Sequence, residues 1–273
     1  MSLKNNFLNM ILKIRDGFII PRIEDIFLPQ LTKSRQSKDS QFIAITLEGG
    51  ATGISYLLLP DNKIAAYNDL KKAYFTGKDP QEFALEFGSE DPVRELINMA
   101  SINAICQHVM KETNMPFDYV TDPLGLLEIA RGDTIGMVGL FSGLIDTVRK
   151  AGAEFVVIEK EESLIRKYHS LPITADAKEL AKCNKILCTG TTVLNNSLEE
   201  ILSCRSPKAS ISVVGPTVGY FPDPLFACGV DVVGGRVVKN SKEFLQRLAQ
   251  KKRWTDTTQK TCFQKKTYRS IIN

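Results

Sequence analysis

The chain has only two histidines in 273 residues, His108 and His169, and they sit in unlike contexts. So few imidazoles leave no His-rich zinc site of the catalytic kind, although Cys, Asp and Glu donors are still available. No CxxC pair occurs among the six cysteines (106, 183, 188, 204, 228 and 262), and a chain of this size needs no covalent staples. Free thiols in a reducing compartment are the expectation, with the cysteines serving as small buried apolar side chains. There is no GxxxxGK[ST], HExxH or GxSxG segment, which removes the P-loop, zincin and nucleophile-elbow chemistries. No activated nucleophile is visible, so a covalent mechanism is not expected. Long apolar runs are missing as well. Nothing approaches the ~18 uninterrupted apolar residues of a membrane span, and the opening MSLKNNFLNMILKIRDGF has neither the apolar core nor the cleavage site of a secretory leader. The expectation is a cytoplasmic protein with no membrane partner.

What is present is a globular composition, 43% hydrophobic and 24% charged, with no biased tract that would suggest disorder or a fibre. The formal charge of +4 is unevenly placed: residues 251–273 hold seven Lys or Arg against one Asp, a net +6, leaving −2 for the rest. A basic tail without a nucleic-acid fold signature is expected to be a solvated extension, not a nucleic-acid contact.

Leu3, Phe7, Met10, Ile11 and Ile14 recur at helical spacing and predict an amphipathic opening helix. Strand signals follow at about 22–31, 41–49 and 54–60, then helices from Tyr67 to about Glu112, the longest starting near Asp91 or Pro92. Strands followed by helices make an α+β unit over residues 1–120. After a short helix candidate, LLEIARG, the rhythm changes. TIGMVGL, EFVVIEK, KILCTG, SISVVGP and VDVVGG are apolar, β-branched runs separated by helix-length segments, which predicts an α/β domain over 121–250 with a mostly parallel sheet and helices on both faces. Residues 251–273 are left as the basic extension.

In such a sheet ligands collect at the carboxyl ends of the strands, where loops and helix N-termini converge. Gly136, Gly139 and Gly143 form a GxxGxxxG spacing, not the dinucleotide fingerprint, and suit either close approach to a ligand or tight strand-to-helix packing. Glu159 ends the next strand, 20 residues after Gly139, where an acidic side chain can accept from ribose hydroxyls; the alternative is a surface carboxylate in EKEE. Thr189, Gly190, Thr191 and Thr192 follow the third strand, with Asn195 and Asn196 opening the helix NNSLEEIL, and this composition suits a helix cap or a polar ligand. With no P-loop lysine nearby, a smaller polar or nucleoside-like molecule is favoured there over a triphosphate. Gly215, Pro216 and Thr217 leave the fourth strand in a loop stiffened by Pro222 and Pro224, either to hold polar groups toward a ligand or simply to turn the chain.

The ordered set GLFSGLI, VVIEK, CTGTTVLNNSLEEIL, VVGPTVGYFPDPLF and GVDVVGG resembles the family described as putative heavy-metal chelation, DUF364, over about residues 125–250. The preceding segment, including SINAICQ, is similar to that family's partner domain. The resemblance implies an enolase N-terminal-like α+β domain joined to a Rossmann-like domain, with the active site where they meet. It carries Gly139, Phe141 and Gly143 into the first loop, Glu159 into the second, Thr189 to Thr192 with Asn195 into the third, and Gly215, Pro216 and Thr217 into the fourth. Asn103 comes from the N-terminal domain, and Glu159 and Asn103 are the catalytic candidates. Two function classes follow. One is an enzyme acting by group transfer, condensation or hydrolysis on a nucleotide-, pterin-, flavin- or siderophore-like ligand, with a nucleotide or S-adenosylmethionine-like cofactor. The other is a non-catalytic binding protein for a heavy metal or its chelate. The scarcity of His and of paired Cys argues against direct capture of a soft metal but leaves capture of a chelate open. A homodimer is expected from the prevalence of two-fold assemblies alone.

Overall fold

A computed structural model of the chain describes residues 2–31, 41–118 and 127–272. The expected boundary at 120/121 lies outside the described residues. Helix α1 (Leu3–Gly17) buries the five residues whose spacing predicts it, and Ser2 caps it by accepting from Asn5 N. Strands β1 (Ile23–Phe27), β2 (Phe42–Leu47) and β3 (Thr52–Tyr56) form an antiparallel sheet in that order. Short helices α2 (Ile64–Asn68) and α3 (Pro80–Ala84) lead to α4 (Pro92–Glu112), started by Asp91 at its N-cap and proline at its first position.

The sheet is covered on both faces, so β2 is buried throughout. Ile43, Ile45 and Leu47 pack with Leu96, Ile97, Ala100 and Ala104 of α4. Phe42, Ala44 and Ile54 pack with Phe244, Leu248 and Trp254 from the far end of the chain. Helix α4 is buried from Leu96 through Gln107, as an apolar helix is when both sides are covered. It presses so closely on β3 that a Cβ on Gly53 would lie 2.1 Å from Ala104 N and 2.2 Å from Ala100 O. Glycine is required there for contact.

The second sheet is built from β4 (Thr134–Val138), β5 (Glu154–Ile158), β6 (Ile173–Thr174), β7 (Lys185–Thr189), β8 (Ser210–Val214), β9 (Val232–Val238) and β10 (Thr258–Gln264). Between them run α5 (Ser142–Lys150), α6 (Glu162–Lys167), α7 (Thr191–Leu194), α8 (Leu198–Cys204), α9 (Asp223–Ala227) and α10 (Ser241–Ala249). The order is β10-β9-β8-β7-β4-β5-β6, parallel except that β10 pairs antiparallel to β9. The mixed α/β architecture expected from the alternating runs is thus observed. LLEIARG forms no α-helix over its described residues, where Glu128 takes φ 44°.

The solvated tail is not observed. Residues from 251 onward turn through Trp254, buried with 4% exposure, into β10, registered from Thr258 against Val238 to Gln264 against Val232. Charge counting misses this because the segment's lysines lie outside while Thr258, Thr261, Cys262 and Phe263 face inward.

At the amino edge of the sheet Asp133 accepts from Lys185 Nζ (2.8 Å), Asn184 Nδ2 (2.7 Å) and Ala130 N (2.7 Å). The Lys185 ammonium, followed by the backbone and amide donors, holds this carboxyl below its usual range despite burial. A depressed folded pKa contributes stability at pH above the unfolded value of about 3.9, and that contribution is lost as pH falls through the folded pKa. Asp133→Asn is therefore expected to unfold at lower denaturant at pH 7 and to show a flatter stability profile below about pH 4, measured by urea unfolding across pH.

Candidate functional site at the switch point of the sheet

From β4 the chain crosses to β5 and β6 on one side, then returns to β7 on the other. The carboxyl ends of β4 and β7 are therefore the topological switch point, where the following helices leave toward opposite faces. The Gly139 loop and the TGTT turn meet there. Gly139 has φ +88° and its missing Cβ would lie 3.0 Å from Thr189 Cγ2. Only glycine satisfies both the backbone conformation and the contact.

Thr189 and Thr191 share a hydrogen bond, Oγ1 to Oγ1 at 3.1 Å, and both are half-buried. Gly190 N donates to Val214 O (2.8 Å), and a Cβ on Gly215 would stand 3.5 Å from Gly190 N, so the third and fourth loops also touch. Phe141 is half-buried over the cluster of Ile135, Met137 and Val148. Helix α5 starts behind it with no side-chain cap, and Gly143 is open to solvent. On the neighbouring strand, Glu159 Oε1 accepts from Lys160 N (2.9 Å) and Glu161 N (3.0 Å), which orients the carboxylate and leaves Oε2 without a bond from any described residue.

Other expected residues are not brought to this place. Thr192 is buried, its hydroxyl donating to Thr189 O (2.8 Å) beside Cys188 Sγ (3.3 Å). Thr217 is buried with its Oγ1 accepting from Tyr56 N (3.1 Å). Asn195 is exposed and does not open the next helix: α7 ends before it, and its Oδ1 accepts from Ser197 N (3.2 Å). Asn103 is fully buried, and its amide donates to Ile54 O (2.7 Å) and Thr217 O (2.8 Å) while accepting from Gly219 N (3.0 Å). That side chain ties β3 to the fourth loop and offers nothing to a ligand. One contact escaped the sequence reading. Lys160 Nζ reaches Glu200 Oε2 of α8 at 3.1 Å, linking the β5 side of the switch point to the β7 side. Only the strand order reveals it. Both partners are more than half exposed, so the pair contributes little to stability.

The donor set does not suit a metal held by the protein's own side chains. Among the described residues no group of three or more His, Cys, Asp or Glu is placed to hold an ion. Burial pushes the Cys106 and Cys188 thiols up to about 12, so neither is a thiolate at neutral pH. His169 follows α6 before β6, at the edge away from the switch point, and its Nδ1 is 3.1 Å from Arg166 O.

Residues 122–266 match the model of the family described as putative heavy-metal chelation, DUF364. The chain belongs to this family. Among curated proteins none matches it. Two solved structures of DUF364 family members, both described as proteins of unknown function, share the fold over nearly all of this chain. The one from Pyrococcus horikoshii has a TM-score of 0.73 at 16% identity, covering 96% of this chain and 100% of that one. The one from Desulfitobacterium hafniense has a TM-score of 0.68 at 17% identity, covering 95% and 98%. At these identities the likeness establishes the fold alone. Among the described residues no helix of this DUF364 protein is long and apolar enough to cross a membrane.

Proposed function

We propose that this DUF364 protein binds a small nucleoside-like or similarly hydroxylated heterocyclic ligand across the carboxyl ends of β4, β5 and β7. The observation that carries this is the contact of Gly139 with Thr189 at the switch point, flanked by the oriented carboxylate of Glu159. In this reading Glu159 Oε2 accepts from ligand hydroxyls. Thr189 and Thr191 are bonded to each other, so the pair has one hydroxyl proton left to donate to a carbonyl or anionic oxygen, and Phe141 lies against the ring. The packing of Gly139 on Thr189 holds the first and third loops together along one side of the ligand. A heavy metal would reach this site already coordinated by an organic chelator, because no described donor set captures it directly. Chemistry at the site is limited to proton transfer by Glu159 and stabilisation of an oxyanion by the threonines, which suits group transfer, condensation or hydrolysis.

Native mass spectrometry and elemental analysis of freshly purified protein test the proposal, with adenosine, S-adenosylmethionine and AMP titrated by calorimetry. The expected result is one organic ligand per chain without stoichiometric metal. Glu159→Gln and Thr191→Ala should each weaken binding by about tenfold, or ~1.4 kcal/mol. Metal at one per chain, lost to a chelator with no organic component, overturns the reading, as does unchanged affinity in both variants.

A further inference from the structure

The positive charge of the chain is concentrated on one corner of the fold. Residues 236–256 contain seven Lys or Arg and two acids, a net of +5, against +4 for the whole chain, so all other residues together carry −1. Both acids are taken by a single cation, Arg247, which pairs with Glu243 and Asp256. Lys239, Lys242, Lys251, Lys252 and Arg253 are exposed, and among the described residues none of the five forms an ion pair.

The backbone that carries these cations is held in place. Trp254 packs edge-on against Phe42 (5.3 Å) and Phe244 (5.4 Å) beneath them. Lys239 N donates to Thr257 O (3.0 Å), Lys252 N to Arg247 O (2.9 Å), and Arg247 Nη1 to Arg253 O (3.1 Å). The two basic segments therefore flank the ends of α10, whose nine residues span about 14 Å. Five cations without ion pairs across that distance can meet about four phosphates of a flexible strand. An array fixed in this way loses less freedom on binding than a loose tail would.

The partner's chemistry follows from what surrounds the cations. The exposed large apolar side chains among the described residues, Ile19 and Tyr74, lie outside this corner, so nothing here would insert into a lipid surface. Helix α10 buries Phe244 and Leu248 and exposes only Lys242, Gln246 and Ala249, which is too sparse a polar face to read base edges, so contact is made through phosphate. We infer that this corner docks the phosphodiester backbone of single-stranded nucleic acid, without base readout. The inference is independent of the ligand proposed at the switch point, which is centred on β4 and β7 and is separated from β9 by β8.

The test is fluorescence anisotropy of the full chain with a labelled uridine oligonucleotide of about 20 nucleotides. Binding is expected to weaken about 50-fold between about 50 and about 200 mM salt, as release of counterions from about four phosphates predicts. Lys251→Glu with Lys252→Glu, and separately Lys239→Glu with Lys242→Glu, should each cost about tenfold or more, while Lys266→Glu with Arg269→Glu, exposed beyond the far end of β10, should not. Melting curves establish that each variant is folded, and the two separate pairs keep the test valid if one pair fails. Three results overturn the inference: no binding at the lowest salt, equal loss from the pair beyond the far end of β10, or binding to phosphatidylserine vesicles but not to the oligonucleotide.

Discussion

A chain ending at Gln250 is expected to yield little or no soluble folded protein, and Trp254→Ala is expected to lose about 3–5 kcal/mol of unfolding free energy. Truncation removes β10 and leaves β9, otherwise an interior strand, as a long open edge with Val232, Val233 and Val237 along it. Unpaired edges of that kind recruit other chains. It also removes the ring that seals the outer face of the N-terminal sheet between Phe42 and Phe244. Tryptophan burial dominates so small a cluster, because an aromatic side chain covers more apolar area than any other. Soluble yield and urea unfolding of the two variants check this. A truncated chain that melts like the full one would show that β10 and Trp254 are accessory.

That same segment shows where sequence reasoning stops. The parallel strands were legible because runs such as KILCT and SISVV are buried on both faces through their middle residues, which leaves a short continuous block with little alternation. TQKTCFQ has no such signature: an edge strand with one exposed side needs only alternate or clustered burial, and its polar residues dominate the composition. The candidate site was legible to the same degree. Gly139, Thr189, Thr191 and Glu159 were marked by standing at strand ends, and strand ends are predictable. Which threonine turns inward was not, since Thr191 and Thr192 differ only by their place in a four-residue helix. Thr217 and Asn103, whose polar atoms bond the backbone, show a related ambiguity. A polar residue near a strand-end loop can serve a ligand or the backbone, and only the partner atoms decide.

Asn103 is the sharpest case, and its substitution is expected to act on folding before it acts on any ligand. Asn103→Leu keeps the volume roughly but leaves Ile54 O, Thr217 O and Gly219 N without their partner inside the protein. An unpaired buried group costs about 1–3 kcal/mol, so about 4 kcal/mol is expected for the three after partial relaxation. Asn103→Asp should be at least as damaging at neutral pH, because a carboxylate can still accept from Gly219 N but faces two carbonyl oxygens it cannot donate to. The denaturation midpoint should fall with an unchanged slope, the mark of lost stability without a changed unfolded state. A catalytic asparagine would behave in the opposite way, keeping the midpoint and losing turnover or ligand affinity alone. If Asn103→Leu unfolds within about 1 kcal/mol of wild type, the three hydrogen bonds do not hold β3 to the fourth loop, and a direct role at the site returns.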